Sequence, residues 1–226
     1  MRIQLPSGTP AELALPIPDG RSQHPACGLV LAPDIMGLRP LFDEMAQRLA
    51  AEQRWAVIAV EPFPGADGEL ALPDRLNHHI DAERLTTDLQ LGADLVQERT
   101  GVGKVGILGF CMGGMNVFRA AGTGRFDRGV AFYGMIRPSE AWSAPGDDPL
   151  DALARPGCAP VLALLGGVDQ FTPPTDIADL EAAGAHVTTH VYPEAEHGFV
   201  HDPSRPNHRA DDAADAWRRA ITFLRG

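Results

Sequence analysis

The chain has 226 residues, enough for one large α/β domain with a full core, whereas two domains would each be small. An apolar content of 44% and a charged content of 22% are ordinary for a soluble globular protein. The net charge of −11 makes the surface acidic and speaks against a nucleic-acid partner, since phosphate recognition needs clustered Lys and Arg, and Lys104 is the only lysine.

In chain order, apolar runs of strand length alternate with helical patterns. The spacing predicts a strand over Cys27–Ala32, a helix over Leu41–Gln53 and a strand over Ala56–Val60. An irregular stretch, Pro62–His79, precedes a helix over Asp81–Arg99, a strand over Val105–Phe110 and a helix over Met112–Ala121. A strand over Gly129–Tyr133 is followed by a second irregular stretch, Arg137–Pro160. The chain then reads as strand Val161–Leu165, helix Pro174–Ala183, strand Val187–Tyr192 and helix Ala210–Leu224. Several strands are continuously apolar, as expected where helices cover both faces of a parallel sheet. The expectation is a single-domain α/β fold with a doubly wound, mostly parallel sheet spanning residues 1–226. The two irregular stretches follow strand ends, so they could wall a pocket or be plain surface excursions.

No segment approaches the roughly 20 apolar residues that span a bilayer, and the proline-broken N-terminus lacks the apolar run of a signal peptide. Three cysteines (Cys27, Cys111 and Cys158) give no disulfide framework and no zinc spacing. A cytoplasmic enzyme with no membrane or nucleic-acid partner is the simplest expectation.

The strongest chemical signal is Gly109-Phe110-Cys111-Met112-Gly113-Gly114, between a strand and a helix. It has the nucleophile-elbow pattern G-x-C-x-G, with cysteine where serine is usual. A sharp turn there lifts the central side chain above the sheet, and the flanking glycines remove Cβ atoms where strand and helix pass closely. A helix N-terminus aimed at a thiol favours its deprotonated form. Taken alone, a cysteine is more often a small buried hydrophobe.

Two more residues follow in the order nucleophile, acid, histidine. Asp169 comes just after the strand Val161–Leu165, and His197 just after Val187–Tyr192. A lone loop aspartate is usually a turn former, and a lone loop histidine is usually exposed. Three positions on one rim of the sheet, in one order, favour a triad. In it His197 is base and acid, and Asp169 fixes the histidine tautomer.

The elbow, the Gly166-Gly167-Val168-Asp169-Gln170-Phe171-Thr172-Pro173 segment, Glu196-His197-Gly198-Phe199, and the tail His208-Arg209-Ala210 through Ala216-Trp217 resemble the dienelactone hydrolase family. The likeness runs from about Gly28 to Leu224. It implies the α/β-hydrolase fold and cofactor-independent hydrolysis of a small ester or lactone through an acyl-cysteine. It also implies that Asp34 stands where the family has a glutamate contacting the thiol, and that the backbone N–H groups of Ile35 and Met112 form an oxyanion hole. Family members hold a substrate carboxylate with two arginines. One of those positions is His201 here, and the other is unmatched, with Arg75 and Arg84 nearby. Arg205 and Arg209 could reach the site or remain surface charges.

No metal is expected. His78 and His79 are adjacent and so point apart, and His197 and His201 lie in a loop with no carboxylate at ligand spacing. Cys27 and Cys158 read as packing residues. The remaining accounts are a carboxylesterase or thioesterase acting on another ester class, and a non-catalytic thiol redox or binding protein of the same fold. An intact Asp169 and His197 speak against the latter. Monomer and homodimer are both open.

Overall fold

The apolar runs read as buried strands form the middle of a single sheet in the computed structural model, which describes residues 1–17, 24–65, 71–77, 81–138, 142–143 and 148–226. Among the described residues the strands are β1 (Arg2–Gln4), β2 (Pro10–Ala14), β3 (Gly28–Ala32), β4 (Ala56–Val60), β5 (Val105–Phe110), β6 (Gly129–Phe132), β7 (Val161–Gly166) and β8 (Val187–Tyr192). Their order across the sheet is β1-β2-β4-β3-β5-β6-β7-β8. The six strands from β3 to β8 run parallel, and β1 and β2 join antiparallel at the β4 edge.

The helices are α1 (Pro40–Gln53), α2 (Leu72–Asn77), α3 (Ala82–Thr100), α4 (Met112–Ala121), α5 (Pro149–Leu153), α6 (Pro174–Ala182) and α7 (Ala210–Arg225). Two apolar clusters show how they wind. Val30, Ile107 and Ala131 pack with α3 and α4 residues such as Leu89, Val96 and Val117. Leu31, Leu108, Phe110 and Phe132 pack with Phe42 and Leu49 of α1 and with Ala213, Ala216 and Ala220 of α7. Alternate residues of one strand thus enter opposite clusters, because the side-chain period of a strand is two. Every residue of β3, β4, β6 and β7 is buried, which is why these strands read as unbroken apolar runs.

The predicted core elements occur, with ends shifted by a residue or two. Tyr133 is the informative exception. The strand ends at Phe132, and Tyr133 turns out of it with φ +38°. The N-terminal hairpin β1–β2 was absent from the prediction. Its strands are short and proline-flanked, and only pairing with the edge strand β4 makes β2 a buried strand. α2 and α5 lie within the two stretches read as irregular, and at 6 and 5 residues are too short to show a helical period. His78 and His79 lie outside the described residues.

Candidate active site

In a parallel sheet the loops that leave the strand carboxyl ends share one rim, and ligands bind there. Asp34 follows β3, Cys111 follows β5, Tyr133 follows β6, Asp169 follows β7 and His197 follows β8. One cleft of about 740 Å³ lies on this rim, and Asp34, Ile35, Cys111 and His197 all line it.

Cys111 sits at the elbow with φ 56° and ψ −119°, a conformation that L residues rarely adopt. Its N–H donates to Phe132 O at 3.0 Å, and its carbonyl accepts from Met115 N at 3.0 Å, so the turn is tied to β6 on one side and to α4 on the other. The glycines are required by contact. A Cβ on Gly109 would lie 2.2 Å from Gly113 O, and one on Gly113 would lie 2.0 Å from Ala32 O. Strand β5, helix α4 and the end of β3 could not approach this closely with any side chain in those places.

The second motif works in the same way. A Cβ on Gly166 would lie 2.4 Å from Ala195 O, and one on Gly167 would lie 2.5 Å from Pro193 O. The bare backbone lets the loop after β7 lie against the loop after β8, which brings Asp169 to His197. Asp169 Oδ2 accepts from His197 Nδ1 at 2.7 Å, and Oδ1 accepts from Phe171 N at 2.8 Å. The carboxylate is fully buried, and 16% of the imidazole is exposed. Asn207 Nδ2 holds the His197 carbonyl.

His197 Nε2 is buried and makes no hydrogen bond among the described residues. Burial alone lowers the pKa of the ring. The hydrogen bond to Asp169 and the neighbouring Cys111 sulfur outweigh it and raise the pKa from 6.5 to about 9. This shift favours the protonated ring at neutral pH. Burial pushes the Cys27 thiol up to about 12 and raises Cys158 as well, which disfavours the thiolate at both.

Several backbone groups of the loop after β3 are pinned by hydrogen bonds. Met36 N donates to Asp34 Oδ1 at 2.9 Å, Gly37 N to Asp34 O at 2.9 Å, and Leu38 N to Glu61 Oε2 at 2.8 Å. Arg75 Nη1 donates to Ile35 O at 3.3 Å. Ile35 N–H is one of the loop donors left over. Together with Met112 N–H at the first turn of α4, it makes no hydrogen bond among the described residues.

Several expected site residues take other places. Asp34 makes no hydrogen bond to Cys111 among the described residues. Its carboxylate is occupied by Met36 N, by Arg39 at 2.6 and 2.9 Å, and by His201 Nε2 at 2.8 Å. Burial would raise the Asp34 pKa, but the bonds from His201 and Arg39 hold it well below the usual carboxylate range. His201 does not reach the cleft. Its side chain has no exposed surface, because Tyr133 and Asp34 hold it between the rings of Phe42 and Phe110.

Arg75 is buried against Phe63 and braces the loop, so it is not free to meet a substrate. Arg84 lies at the start of α3 against Thr9 and Asp88, away from the cleft. Arg209 pairs with Asp212 and Glu194 at the start of α7.

Arg205 does line the cleft. Its guanidinium is 34% exposed, stands 3.7 Å from Asp34 and 3.6 Å from Asp202, and makes no hydrogen bond among the described residues. Arg137, not foreseen from the sequence, also lines it, but donates to Asp179 at 2.8 Å. Leu72, Leu76, Met135, Trp142 and Phe171 form an apolar wall. Among the described residues no group of His, Cys, Asp and Glu could hold a metal ion, and no helix is long and apolar enough to cross a membrane.

Comparison with known proteins agrees with this architecture. A Methylorubrum extorquens protein named "putative carboxymethylenebutenolidase" is 31% identical over 240 residues, covering 100% of this chain and 79% of its own length. The carboxymethylenebutenolidase of Pseudomonas putida is 28% identical, with 90% of this chain and 87% of that protein covered. The crystal structure of a Klebsiella pneumoniae protein named "putative dienelactone hydrolase" superimposes with a TM-score of 0.84 at 24% identity, over 99% of this chain and 97% of that one. The family model for dienelactone hydrolases matches residues 14–226, and the chain belongs to the dienelactone hydrolase family, hydrolases of ester and lactone bonds within the α/β-hydrolase fold.

Proposed function

We propose that this hydrolase cleaves small esters or lactones through an acyl-cysteine intermediate, with Cys111 as nucleophile, His197 as acid and base, and Asp169 as the residue that orients the histidine. The observation that carries the reading is the strained Cys111 elbow sharing a cleft with a histidine that is hydrogen-bonded to a buried Asp169.

In the first step Cys111 attacks as a thiolate whose proton has passed to His197 Nε2: the sulfur bonds to the substrate carbonyl carbon, and the carbonyl π electrons move to oxygen. The unpaired N–H groups of Ile35 and Met112 are the donors for that oxyanion. Collapse breaks the C–O bond, and the leaving oxygen takes the Nε2 proton of His197, consistent with a ring protonated at neutral pH. In the second step His197 takes a proton from water, the resulting hydroxide adds to the thioester carbonyl, and the sulfur leaves. The acid product departs and the enzyme is restored.

The cleft supports a substrate with two unlike ends. The apolar wall suits an alkyl or aryl group. Arg205 has donors to spare and is the cation best placed to meet an anionic group. Three unpaired cysteines suit a reducing compartment such as the cytoplasm.

The test is p-nitrophenyl acetate turnover with mass spectrometry of the quenched enzyme. A burst of nitrophenol with one acetyl group on the Cys111 peptide supports the mechanism. Undiminished turnover in Cys111→Ala would overturn it, and no turnover by the wild type on any ester or lactone would favour a thiol redox or binding role.

A further inference from the structure

We propose that Tyr133 and His201 are positioning residues: with Asp34 they form a buried hydrogen-bonded relay that sets the oxyanion loop against the catalytic base. The inference rests on the reading of Cys111 as nucleophile and adds residues that this reading does not use.

The chain of contacts is continuous. The Tyr133 hydroxyl bonds to His201 Nδ1, and His201 Nε2 bonds to Asp34 Oδ2 at 2.8 Å. Asp34 Oδ1 in turn accepts the Met36 N–H at 2.9 Å, and Arg39 grips both carboxylate oxygens. At the other end the Tyr133 ring meets the His197 ring edge-on, with centroids 5.1 Å apart and planes at 66°. Tyr133 N also donates to Leu164 O of β7, the strand that delivers Asp169. One relay therefore touches the loop that carries Ile35 N–H and the histidine that serves the thiol.

The protons in this relay have one consistent arrangement. Asp34 is ionised and can only accept, so His201 Nε2 carries a hydrogen. Burial keeps His201 neutral against the pull of Asp34, which leaves Nδ1 as an acceptor. Burial also raises the Tyr133 pKa well above 10, so its hydroxyl keeps its proton and donates. Each hydrogen bond requires the next, and a change of protonation at one member would break another.

Backbone geometry gives an independent sign. Tyr133 is fully buried and has φ +38°, which an L residue with a bulky side chain seldom adopts. Such strain persists where surrounding contacts over-determine it, and it gathers at functional sites. A phenylalanine would fill the same aromatic space between Phe110, Phe132 and Phe199. Among the described residues the hydroxyl has the relay as its one partner.

The experiment compares Tyr133→Phe, His201→Leu and His201→Gln with the wild type and with Cys111→Ala. It reads kcat and KM on p-nitrophenyl acetate, thermal midpoint, and the rate at which iodoacetamide alkylates the Cys111 peptide. Alkylation needs the thiol and its base but no oxyanion hole. Disturbing the loop should lower kcat by about 10–100-fold in His201→Leu and somewhat less in Tyr133→Phe, with KM and alkylation rate within about threefold. His201→Gln, which can still donate to Asp34, should recover part of the loss. Wild-type kcat in both Tyr133→Phe and His201→Leu would overturn the proposal. So would a parallel fall of kcat and alkylation rate, which would indicate general damage to the site. If Cys111→Ala keeps its turnover, the nucleophile assignment fails first and the relay falls with it.

Discussion

Asp169 Oδ2 and His197 Nδ1 stand 2.7 Å apart, joining two loops whose residues are 28 positions apart in the chain. This bond is the main reason that the pKa of His197 rises although its ring is buried. The folded protein binds the His197 proton more tightly than the unfolded chain does. That contribution to stability is complete below pH 6.5 and is lost as pH rises through about 9. Asp169→Asn should therefore be less stable than the wild type at pH 6, and the gap should narrow by pH 9.5. Thermal midpoints across that range check it. Turnover should fall on the order of 10³–10⁴-fold, because the imidazole loses its orientation and tautomer.

The elbow predicts a sharp contrast between two glycines. Gly113→Ala would drive a Cβ to within 2.0 Å of Ala32 O and 2.4 Å of Pro33 O, both backbone atoms that cannot rotate away. It should cost about 1–3 kcal/mol or more of stability and most of the activity, since α4 must move off β3. Gly103→Ala meets nothing within 4 Å and should be neutral or slightly stabilising. Denaturant titration of the two variants decides.

Arg205 predicts a preference that depends on substrate charge. Arg205→Gln should lower kcat/KM on esters bearing a carboxylate about 10–100-fold more than on neutral esters of the same size. A paired substrate panel measures the ratio. An equal loss on both series would place Arg205 outside substrate recognition.

Leu72 and Leu76 are each 46% exposed on α2 and face the cleft. Their replacement by serine should leave stability within about 0.5 kcal/mol. It should raise KM for aryl and long alkyl esters about 3–10-fold relative to acetate esters, because apolar contact with the substrate is lost.

How much of the site could be read from the sequence depends on how local each signal is. Cys111, Asp169 and His197 each follow directly after an apolar strand in a short glycine-bearing motif, so strand, turn and residue type appear together in a few letters. Tyr133 and His201 carry no such mark. Tyr133 looks like the last residue of a strand, and only its turn out of β6 reveals it. The place of His201 depends on Asp34, 167 residues earlier. Arg75, Arg84, Arg205 and Arg209 were indistinguishable as charges near the motifs. Their separation into a loop brace, two surface pairs and one cleft cation followed from burial and partners.

By itself, the sequence determined the doubly wound sheet, because continuously apolar strands between amphipathic helices have few other ways to bury both faces. It also determined the order of the three motif residues along one rim. The tertiary structure alone decided what surrounds Cys111. Which donors stay unpaired, which carboxylate is already occupied and which arginine faces the cleft depend on contacts between distant segments. Asp34 shows this most plainly. Its position after β3 was legible, but its partners Arg39 and His201 became known only when the loops met.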